Sequence, residues 1–63
     1  MIYSVAHTHK KPIWELAQLY GFDMYQKRLN TWVRIWCIDI PEDSKYATRL
    51  LLEFGSYLTP IKD

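Results

Sequence analysis

The chain is 63 residues long, 49% hydrophobic and 16% aromatic, with eight Lys plus Arg against seven Asp plus Glu. That length folds one small domain, 1–63, and near-neutral charge argues against affinity resting on phosphate neutralisation. A single cysteine, Cys37, rules out an intrachain disulfide and a thiolate metal cage.

No apolar run approaches the roughly 20 residues that span a bilayer. Ser4, His7 and His9 interrupt the N-terminal apolar stretch, so a signal-peptide core is missing. The expectation is a cytoplasmic protein with no membrane partner. Ten aromatic side chains are too many for so small a core, so some should lie at the surface as contacts.

Ile2 to Thr8 is rich in β-branched and aromatic residues and reads as a first strand. The polar stretch His7-Thr8-His9-Lys10-Lys11 ends it, and Pro12 suits the first turn of a helix, where its missing N–H is not needed. Ile13, Leu16, Ala17 and Tyr20 recur at i, i+3, i+4 and i+7, one apolar stripe closed by Gly21. Phe22 to Arg28 has two readings. As a strand, Phe22 and Met24 face one way and Asp23, Tyr25 and Lys27 the other. As a continued helix it costs about 1 kcal/mol for an internal glycine.

Trp32 to Ile40 is the strongest strand, ended by Pro41. Alternation puts Trp32, Arg34, Trp36, Ile38 and Ile40 on one face, with Val33, Ile35, Cys37 and Asp39 on the other. Asp43 or Ser44 can cap a second helix whose inner face is Tyr46, Ala47, Leu50, Leu51 and Phe54. Gly55 stops that helix, and Tyr57 to Ile61 forms a last short strand.

Residues 13–21 and 47–55 repeat one pattern: at an offset of 34, Leu16 falls on Leu50, Ala17 on Leu51, Tyr20 on Phe54 and Gly21 on Gly55. Each copy lies between two β-type runs, which favours the strand over 22–28. The order is then β-α-β-β-α-β, a ferredoxin-like two-layer sandwich with an antiparallel-type sheet of order 4-1-3-2. Strands 1 and 3 are expected at the centre, parallel to each other, with strands 2 and 4 at the edges. Pro60 on one edge strand and Lys27 with Arg28 on the other agree with that placement. The competing architecture is an α+β domain with one long helix over 12–29 and a short sheet.

His7-x-His9 at strand spacing points two imidazoles the same way, a start for a divalent-metal site. With the inner strands parallel, Asp39, Glu42 and Asp43 would join them at one edge, enough for metal-assisted hydrolysis. The run Asp39-Ile40-Pro41-Glu42-Asp43, with the following helix and Gly55, resembles the opening βαβ unit of the ferredoxin-like CRISPR-associated nucleases. That family places its aspartate on the first strand, whereas Asp39 lies on the third, so the resemblance transfers no nuclease activity. Tyr3 on the first strand and Trp32 or Trp36 on the third occupy central strands, where RNA-recognition folds of this topology carry stacking rings. Trp14 lies off the apolar stripe of its helix, the position of a contact residue.

The leading expectation is a small non-enzymatic interaction module needing no cofactor. It would act as an inhibitor or adaptor on a larger protein, or pair with itself as a homodimer. Phage-encoded anti-defence and host-takeover proteins supply the analogy, from size and fold alone. Its anchors would be Trp14, Trp36 and Tyr3, with Lys27 and Arg28 on the rim. A metal-dependent ribonuclease or nucleotide hydrolase using His7, His9 and Asp39 is the second expectation, and a single-stranded RNA binder the third.

Overall fold

A computed structural model describes residues 1–61. Four strands, β1 (Ile2–Val5), β2 (Asp23–Arg28), β3 (Arg34–Asp39) and β4 (Leu58–Pro60), form one antiparallel sheet of order β2-β3-β1-β4. Helices α1 (Lys10–Tyr20) and α2 (Lys45–Phe54) complete the βαββαβ order. Among the described residues, no helix is long and apolar enough to cross a membrane. The arrangement 4-1-3-2 and the strand over 22–28 are both present, and the long helix over 12–29 is not.

Gly21 is what separates α1 from β2. It adopts φ 79°, a left-handed conformation that costs other residues steric strain, and its N–H bonds back to the Ala17 carbonyl. The Phe22 N–H reaches the same carbonyl at 2.8 Å, so the chain turns out of the helix at once. Gly55, its counterpart in the repeat, behaves differently. It stays right-handed at φ −56° and opens a 3₁₀ turn, Gly55–Tyr57, before β4.

The inner strands are antiparallel, which corrects the expectation of a parallel pair. β2 runs with β1 after the α1 crossover, and the tight hairpin at 29–33 then reverses β3 against both. Register partners across β1 and β3 are Ile2 with Asp39, Tyr3 with Ile38, Ser4 with Cys37 and Val5 with Trp36. β1 also ends earlier than expected, because His7–His9 wind into a 3₁₀ turn that feeds α1.

The core lies between the sheet and the two helices. Ile38 and Leu50 are fully buried there with Ile13 and Ala17, and Val5, Phe22, Ile40, Ala47 and Leu58 join them. The repeat holds at this level: Ile13 and Ala47 begin equivalent stripes, and Leu16, Leu51, Tyr20 and Phe54 all pack against the cluster. Ser44 caps α2, its hydroxyl accepting from the Tyr46 N–H at 3.2 Å.

Candidate functional site

Alternation along the strands sets which side chains face the helices. Tyr3, Val5, Met24, Trp36, Ile38 and Leu58 do so, and all belong to the core or pack on it. Tyr3, expected as an anchor, is partly buried against the core, as Trp36 is. The opposite side of the sheet carries Ser4, Tyr25, Lys27, Ile35, Cys37 and Asp39. It lacks the paired central rings of an RNA-stacking platform.

Trp36 and Trp14 line one cleft at the end of the molecule where β3 begins. Lys10, Lys11 and Trp14 of α1 line an open cleft of about 320 Å³ together with Trp36. Lys10 Nζ lies over the Trp36 ring, 5.0 Å from its centroid, a cation–π contact. Trp36 is half-buried against the core, whereas Trp14 is 46% exposed. The two expected anchors thus line one cleft, and one of them also packs on the core.

A second cleft of about 360 Å³ is lined by Gln26, Arg28 and Arg34. Gln26 is the register partner of Trp36, and Arg28 that of Arg34, so all four point to the helix side. Arg28 therefore lines this cleft, and Lys27, paired with Ile35, lies on the other face of the sheet. Lys10, Lys11, Gln26 and Arg34 were not among the expected site residues. The Lys10–Lys11 pair and the Arg34-x-Trp36 alternation were visible signals, but their convergence required the strand register.

Trp32 does not lie on β3. Asn30 Oδ1 accepts from the backbone N–H of Trp32 at 2.8 Å and of Val33 at 2.9 Å, an Asx turn that holds both outside the ladder. Trp32 is 90% exposed at the hairpin tip.

The antiparallel register also corrects the metal cluster. Asp39 lies beside Ile2, 3.6 Å from the N-terminal ammonium, at the end of β1 away from His7 and His9. The His9 ring stacks on Tyr57 with centroids 3.5 Å apart, and its Nδ1 is 2.9 Å from the Thr8 hydroxyl. Among the described residues, no three metal-binding side chains gather at one place. Cys37 is buried, and that burial pushes its thiol pKa up despite the nearby Lys27 charge, the opposite of what a nucleophile needs.

Comparison with family models, curated proteins and solved structures finds no match to this chain.

Proposed function

We propose that the protein is a non-enzymatic interaction module that docks a larger protein, as an inhibitor or adaptor, through the Trp14–Trp36 cleft. One observation supports this most: two tryptophans from separate elements converge on an open, largely apolar cleft outside the closed core. An exposed Trp is among the residues whose burial most often dominates a protein interface. Strain, a metal cluster and an activated nucleophile would each favour catalysis. Among the described residues the only positive φ is at Gly21, and the thiol of Cys37 is buried.

Selecting ligands from a random-peptide display library against the whole chain tests the reading. Selected peptides should bind the wild type and lose at least about tenfold in affinity in Trp14→Ala, a modest loss for an interface Trp. The melting temperature of that variant should stay unchanged, because its side chain is half exposed. Peptides that bind Trp14→Ala undiminished would overturn the proposal. Light scattering over a concentration series separates a foreign partner from a second copy of the chain.

A further inference from the structure

We infer that the segment docking in this cleft is acidic: a peptide stretch that seats one apolar side chain between Trp14 and Trp36 and presents carboxylates to Arg28 and Arg34. The inference rests on the docking reading above and names the chemistry of the partner.

The formal net charge of +1 hides a separation made by the fold. The β2–β3 ladder opens with Asp23 opposite Asp39 and closes with Arg28 opposite Arg34. Glu42 and Asp43 follow β3 at the first end, with Lys45 beginning α2 after them. Lys10 and Lys11 join the arginines at the second end through the Trp36 cleft. Glu15 and Glu53 lie on exposed helix positions, outside both clefts. Six strand residues separate the two ends by about 17 Å, taking about 3.4 Å per residue. The Debye length in physiological salt is about 8 Å, so neither end neutralises the other. A partner approaching the Trp cleft meets a cationic surface.

The two like-charge pairs are also treated differently. Asp39 has the N-terminal ammonium at 3.6 Å, so the acidic pair is partly relieved within the chain. Among the described residues, neither Arg28 nor Arg34 has an ion pair with a carboxylate. Like charges placed directly across a ladder are destabilising, and here they line a cleft wide enough for a carboxylate. Two guanidinium forks side by side match carboxylate oxygens in bidentate fashion. The other cleft, walled by indole rings and lysine stems, takes the apolar anchor. A partner with both features satisfies both clefts together, since Gln26 and Trp36 join them rung to rung.

Fluorescence anisotropy with defined probes decides the matter. The first probe is a short fluorescein-labelled peptide of Asp and Glu around a central Leu-Phe pair. The second replaces every Asp and Glu by Asn and Gln, and the third is oligouridylate. The acidic peptide should bind at least about tenfold more tightly than its amide counterpart, and less tightly as salt rises. Arg28→Gln with Arg34→Gln should remove that advantage without lowering the melting temperature. If both peptides bind equally and both fail with Trp14→Ala, the acidic inference is overturned and the docking reading stands. If oligouridylate binds more tightly than the acidic peptide at the same salt, both are overturned. Failure of both peptides to bind overturns the inference, while display-selected ligands still judge the docking reading on their own.

Discussion

The β2–β3 ladder ends in two pairs of like charge, and the fold deals with only one of them. At the rung of Asp23 and Asp39, the chain terminus returns and supplies an ammonium, which also donates to the Ile40 carbonyl at 2.9 Å. At the rung of Arg28 and Arg34 the hairpin has run past the core, and no described carboxylate answers. Between them, Met24 and Ile38 lie under the helices. One end of the hairpin is thus relieved within the fold, and the other is not. A feature that stability alone does not justify is the better guide to function.

Substitutions along this ladder test the contrast, beginning at its middle. Ile38→Ala empties a fully buried position and should cost about 2–5 kcal/mol. For so small a domain that is a large share of the total, and thermal unfolding by circular dichroism should shift down by about 10 °C or more. Acetylating the N-terminus removes the charge that relieves Asp39. The pair is half exposed, so the loss should be only about 0.5 kcal/mol, and Asp39→Asn should cancel it.

Arg34→Gln carries the opposite sign. Removing one member of an unrelieved pair should raise stability by about 0.3 kcal/mol while weakening the binding of acidic peptide. A clear drop in melting temperature would instead make the arginines structural, and the contrast between the two ends would fail. Cys37 gives the smallest effect. Burial keeps its thiol protonated in the native state after the unfolded thiol has ionised, so stability should fall as pH rises past about 8.5. Comparing chemical denaturation of Cys37→Ala and the wild type across that range isolates the component, which should vanish in the variant.

Much of the architecture was legible. Pro12, Gly21, the two apolar stripes and the β-branched runs are local signals, each stating where one element starts or stops. The site was legible only in fragments. Trp14 stood out by leaving its stripe, and Trp36 by its alternation with Arg34, yet nothing in either segment says that they line one cleft. Other local signals misled. The β-rich run after Val5 winds into a 3₁₀ turn instead of continuing as strand, and Asn30 draws the backbone of Trp32 and Val33 out of β3. Tyr3 reads as an available ring, and the fold leaves it partly buried against the core, as it does Trp36.

What the amino-acid order determined by itself was the succession of elements and the side of each that would be apolar. Periodicity and turn chemistry act over a few residues, and that reach is enough for both. Direction and neighbourhood were decided only when the chain closed on itself. The hairpin reversed β3, which carried Asp39 away from His7 and His9 and brought Arg34 beside Arg28. A composition close to neutral came to hold a ladder that begins in two aspartates and ends in two arginines. Hydrogen-bonded register joins residues far apart in sequence, and charge counted along a chain contains no information about that pairing.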